Sequence, residues 1–88
     1  MSGKPSITPH AAFGQVLRQA RQAAGMTQEQ LSLESGVQRN FISLIELGQN
    51  QPTITTVFKL AQALGCLPSV MVASAEEMSI PQQEQYSR

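Results

Sequence analysis

The chain has 88 residues, with six basic and six acidic side chains and hence no formal net charge. That length holds one small domain with a thin core. A neutral balance excludes a protein that retains nucleic acid by bulk charge alone, because non-specific DNA binding comes mainly from Lys and Arg neutralising phosphates.

Apolar residues make up 41% of the chain, an ordinary share for a globular protein. No apolar run approaches the roughly 18 residues a membrane span needs. Met1–Pro9 carries one Lys and no apolar stretch, so it does not read as a signal peptide. The single cysteine, Cys66, permits no internal disulfide. These features point to a cytoplasmic protein with no membrane partner.

Residues 1–8 read as a flexible N-terminal arm. Thr8-Pro9 then supplies an N-cap followed by Pro at the first helical position. Phe13, Val16, Leu17, Ala20 and Ala24 recur at helical spacing, and Gly25 is placed to stop the helix. The first helix is therefore expected over about 9–24.

Met26-Thr27-Gln28-Glu29-Gln30-Leu31 is a strong helix start. Thr27 can accept the amide of Gln30 while the Gln30 side chain reaches back, and Met26 and Leu31 can staple the entry. Glu29 suits the positive end of the helix dipole. The second helix is expected over about 27–35, before Gly36. A third runs over about 38–47, with Ile42 and Ile45 inward and Gly48 at its end. Gln38 is a poor N-cap for it. Gln49-Asn50-Gln51-Pro52 is a loop by composition. Thr53 caps a fourth helix bearing Ile54, Val57, Leu60, Ala61 and Leu64, which ends at Gly65. A short fifth is expected from Pro68 to about Ala75, closing an ordered unit of residues 9–75. The Gln- and Ser-rich remainder, 76–88, reads as a disordered tail. No strand pattern or internal repeat is present.

Between Pro9 and Gly65, Arg18, Arg21, Arg39 and Lys59 face Glu29, Glu34 and Glu46, so this segment is barely cationic. The remaining acid lies at Glu76, Glu77 and Glu84. DNA binding by such a chain needs neutral hydrogen-bond donors, or a second subunit, to add to charge.

The segment Thr27–Gly48 carries the functional signal. Two short helices meet at Gly36, where a tight turn favours a residue without a Cβ. The second exposes Gln38, Arg39, Asn40 and Ser43 near its start and is apolar on its other face. A helix seated in the DNA major groove needs that division. Arg pairs with guanine O6 and N7, Asn with adenine N6 and N7, and an apolar side chain such as Leu44 can meet a thymine methyl.

These residues resemble the Xre or phage-repressor-like helix-turn-helix family across Phe13–Val72. The matching text is LRQARQAAGMTQEQLSLESGVQRNFISLIELGQNQPTITTVFKLAQALG. The resemblance implies an all-α, compact five-helix, lambda-repressor-like domain that binds double-stranded DNA, usually as a dimer. It implies base contacts from Gln38, Arg39, Asn40, Ser43 and Leu44. It also implies that Gln28 holds a phosphate, with Asn50, Gln51 and Thr53 helping from the far side. Arg18 is a further candidate for backbone contact. Arg21 and Glu46 occupy the positions of a structural ion pair joining the first and third helices. Leu33, Leu44 and Leu47 stand where the family usually carries polar or charged residues, Leu67 stands where it often has a capping Ser, and Cys66 takes an aliphatic core position.

Val70, Met71 and Val72 cannot all face one way on a helix. At least one must point outward, so these residues, with Phe58 and Leu67, are expected to form a homodimer interface. His10 has no partner for a metal site or for catalysis. With no Asp and no glycine-rich phosphate loop, no enzyme chemistry and no cofactor are expected. The brevity of the chain suggests a regulator without a ligand domain. A phage-type repressor, a restriction–modification controller and an autoregulating antitoxin all fit. The alternative is a protein-interaction adaptor built on the same helices, which the neutral charge and the three leucines favour.

Overall fold

The computed structural model describes residues 7–79. Among them are five helices and no strand: α1 (Pro9–Ala23), α2 (Gln28–Ser35), α3 (Arg39–Glu46), α4 (Ile54–Leu64) and α5 (Pro68–Ser79). Three of the five starts have a side-chain cap. Thr8 caps α1 by accepting from the Ala11 amide at 3.2 Å, with Pro9 opening the helix. Thr27 closes both arms of a capping box with Gln30, at 3.0 and 2.8 Å. Thr53 accepts from the Thr56 amide at 3.1 Å. Gln38, at the N-cap of α3, makes no side-chain cap bond. The Ser35 hydroxyl instead accepts from the Val37 amide at 3.1 Å and tightens the turn ahead of α3. Gly36 sits in that turn at φ +79°, in the left-handed region that side chains with a Cβ avoid.

The core gathers one stripe from each helix. Leu17, Leu31, Ile42, Ile45 and Leu60 are its largest fully enclosed side chains, joined by Ala12, Phe13, Val16, Val57, Ala61, Met71 and Ala75. Helix α1 packs on α3 and α5, α2 packs on α3 and α4, and α5 returns against α4. The α1–α3 crossing is close because Gly14 faces the Ile45 and Glu46 carbonyls, where a Cβ would have no room. Met26 and Cys66 pack half-buried at the rim of the core.

Three expectations need correction. Helix α5 does not end near Ala75; Ala75 is buried within it, and the helix runs one turn further to Ser79, whose hydroxyl donates to the Glu76 carbonyl at 3.3 Å. The arm gives way to structure by Ile7, which packs half-buried against the core. Met71 does not belong to an outer surface: it is 2% exposed, inside the core. At 100° per residue Val70 and Val72 lie on opposite flanks of Met71, and both are exposed. The remainder of the expected arm, 1–6, and of the expected tail, 80–88, lies outside the described residues. Among the described residues no single helix is long and apolar enough to cross a membrane.

Candidate nucleic-acid interface

Helix α3 is divided lengthwise. Ile42 and Ile45 are fully buried, whereas Gln38, Arg39, Asn40 and Leu47 are exposed and Ser43 and Leu44 are half-buried. Helical rotation puts Asn40, Ser43, Leu44 and Leu47 on the side opposite the two isoleucines, with Arg39 beside them at the first turn. The five residues expected to meet bases therefore share one helix and its N-cap, and none of the exposed ones carries the core.

At the other edge of this face, Arg18, Arg21, Gln28, Ser43, Glu46 and Leu47 line a cleft of about 190 Å³ between α1, α2 and α3. Its floor is a charge-assisted network. Arg21 Nε donates to Glu46 Oε2 at 2.7 Å, and Arg21 Nη2 donates to Glu46 Oε1 at 3.0 Å. This is the bidentate geometry that makes guanidinium–carboxylate pairs strong. Arg21 Nη1 donates to the Met26 carbonyl at 2.9 Å, tying α1 to the entry of α2. The Arg21 side chain is 12% exposed and that of Glu46 only 4%. The hydrogen bond to Glu46 raises the Arg21 pKa above its ordinary value, against the opposing effect of burial.

Gln28 joins the same network. Its Nε2 donates to Glu46 Oε1 at 3.0 Å. This bond links residues 18 apart in sequence, and no local pattern announces it. The structure thus brings Arg18, Gln28 and Ser43 to one cleft. The expected far-side residues are arranged differently. Gln51 lines a separate groove with Pro9, His10, Phe13, Pro52, Val57 and Val72. The half-buried Asn50 directs its backbone N–H to the Leu44 carbonyl at 3.3 Å. The Thr53 hydroxyl caps α4 and also bonds to the Thr56 hydroxyl at 3.1 Å. Among the expected outer apolar residues, Phe58, Leu67, Val70 and Val72 are exposed. Val72 faces the groove that Gln51 lines. Leu33, at 81% exposure, stands alone on α2. Among the described residues no group of three or more His, Cys, Asp or Glu could hold a metal ion.

With the two short helices, the left-handed turn and the divided third helix in place, comparison with known proteins is direct. The helix-turn-helix family model HTH_3 matches residues 17–70. The chain belongs to the helix-turn-helix family of DNA-binding transcriptional regulators. This helix-turn-helix chain is 37% identical over 57 residues to the HTH-type transcriptional regulator y4dJ of Sinorhizobium fredii, covering 65% of this chain and 74% of that one. It is 39% identical over 57 residues to the control protein C.BamHI of Bacillus amyloliquefaciens, covering 64% and 70%. Among solved structures, the restriction–modification controller protein C.AhdI of Aeromonas hydrophila superposes with a TM-score of 0.68 at 37% identity, over 70% of this chain and 94% of that one. The clp gene regulator ClgR of C. glutamicum superposes with a TM-score of 0.80 over 89% of this chain and 100% of that one. At 23% identity that last likeness concerns the fold alone.

Proposed function

We propose that this helix-turn-helix regulator reads a near-palindromic operator as a homodimer and acts as a repressor or autoregulator. The observation that carries the reading is the division of α3, with Ile42 and Ile45 fully enclosed behind an outer row of Arg39, Asn40 and Ser43. Arg39 and Asn40 have the donors and acceptors to distinguish guanine and adenine in the major groove. Gln38 stands at the N-terminal end that enters first, and Leu44 offers a methyl-sized contact for thymine. Arg18 and Gln28 hold the phosphates flanking the groove. Asn50, Gln51 and Thr53 supply backbone contacts from the far side. Similarity to a control protein and to a restriction–modification controller protein supports the controller type over the phage-type repressor and the antitoxin.

Dimerisation rests on the exposed Phe58, Leu67, Val70 and Val72. A two-fold assembly puts two copies of α3 into successive major grooves, with half-site centres about 34–36 Å apart. The test is selection of bound sites from a random duplex pool at near-physiological salt. An enriched inverted repeat supports the reading, and its spacing checks the geometry.

A second reading has its own observation. Leu33 and Leu47 are large, apolar and exposed at 81% and 62%, and the chain is formally neutral. An adaptor that docks a protein partner on these helices would have those features. Folded protein that enriches no site, with binding to random duplex indifferent to salt, would favour the adaptor, because phosphate contacts release counterions.

A further inference from the structure

The Glu46 carboxylate springs from the recognition helix but does not face outward with Asn40 and Leu47. It turns into the junction of three helices, 4% exposed, and accepts three hydrogen bonds there: Arg21 Nε on Oε2, and Arg21 Nη2 and Gln28 Nε2 on Oε1. An ionised carboxylate only accepts. The Gln28 amide must therefore turn its NH2 end toward Glu46, since the flipped amide would set oxygen against oxygen. One Nε2 hydrogen is used in this bond. The second stays available at the cleft that Gln28 lines with Arg18, Ser43 and Leu47.

We infer that Arg21 and Glu46 are positioning residues for DNA, and not only a clasp between α1 and α3. Glu46 fixes which end of the Gln28 amide meets a backbone phosphate. Arg21 holds Glu46 in place and neutralises a carboxylate that would otherwise stand beside that phosphate. The inference rests on the DNA-binding reading above. It adds that the phosphate contact from α2 is set by a side chain of α3, so that backbone grip and base reading come from one rigid unit. An amide held by a charged acceptor loses little freedom when DNA arrives.

The test uses the full chain, the selected operator and a random duplex of equal length. Dissociation constants are measured for the wild type, Gln28→Ala, Glu46→Gln and the double variant, with urea unfolding confirming that each is folded. The expected result is that Gln28→Ala and Glu46→Gln each weaken both duplexes alike, by about two- to tenfold, and that the double variant binds no worse than Gln28→Ala. Losses that multiply in the double variant, or a folded Glu46→Gln that binds like the wild type, overturn the inference. The wild type supplies a check that no folding defect can confuse. By NMR its Gln28 Nε2 protons should exchange with solvent more slowly than those of the exposed Gln19 and Gln22, with one proton shifted by the bond to Glu46, and exchange and shifts like those of the exposed glutamines overturn the proposal. If the wild type enriches no site and binds random duplex without salt dependence, the DNA reading itself fails and this inference falls with it.

Discussion

Gly14 of α1 lies directly against the carbonyl oxygen of Ile45 in α3, with no room for a methyl group between them. The backbone of α3 is thereby set against α1 by contact, not by a side-chain spacer. Gly14→Ala adds a Cβ that meets backbone, which cannot rotate away. Overpacking of this kind costs about 1–3 kcal/mol. Thermal unfolding should show a drop of about 4–8 °C per kcal/mol for a domain of this size. An unchanged melting temperature would falsify the close crossing.

Arg21→Met removes one partner of a nearly enclosed ion pair and leaves the Glu46 carboxylate without its counter-charge. Breaking such a pair from one side costs about 3–5 kcal/mol. Replacing both residues, as Arg21→Met with Glu46→Leu, should recover much of that loss, because no orphaned charge remains. Urea denaturation of the two variants provides the comparison, and the double variant should be the more stable.

Arg39→Ala and Gln28→Ala should differ in kind. On the proposed reading the first removes a base contact and is expected to cost about 1–3 kcal/mol at one operator position, relaxing the preference there. On the same reading the second removes a backbone contact and should weaken all sequences together. Titrations against the operator and its single-base variants separate the two. A uniform loss from Arg39→Ala would remove that residue from the base-reading set.

Val70 and Met71 are neighbours with opposite duties. Val70→Glu should leave the fold intact and shift sedimentation toward the monomer, since Val70 is exposed on α5. Met71→Ala should instead cost about 2–5 kcal/mol of stability, because it opens the core. If Val70→Glu sediments like the wild type, the dimer face lies elsewhere.

The helix starts were legible because their causes are local. Thr8-Pro9, the Thr27–Gln30 box and Thr53 each act within one turn, and the structure uses all three. The inward residues of α3 followed from spacing, as did Val57, Leu60 and Ala61 of α4, whereas Ile54 of the same stripe is exposed at the start of α4. What escaped was decided by contacts distant in sequence. Gly14 reads as a weak point in an otherwise good helix, and only the crossing with α3 explains it. Gln28 carries a side chain suited to a phosphate, and its bond to Glu46 depends on how α2 meets α3. Alternation along Val70-Met71-Val72 showed that at least one residue must face out. It could not say that Met71 is the one that turns in. The end of α5 was missed because Glu76, Glu77 and Ser79 give no apolar stripe to announce the further turn.

The lengthwise division of α3 also bears on how such a protein changes over generations. Ile42, Ile45 and the Glu46 carboxylate hold the helix in place, while Gln38, Arg39 and Asn40 touch nothing that the fold requires. Substitutions at the outer row can accumulate without a toll on folding. If that row reads DNA as proposed, descendants of one ancestor can drift to new target sequences on an unaltered scaffold, and two copies in one cell can diverge until neither interferes with the other's genes.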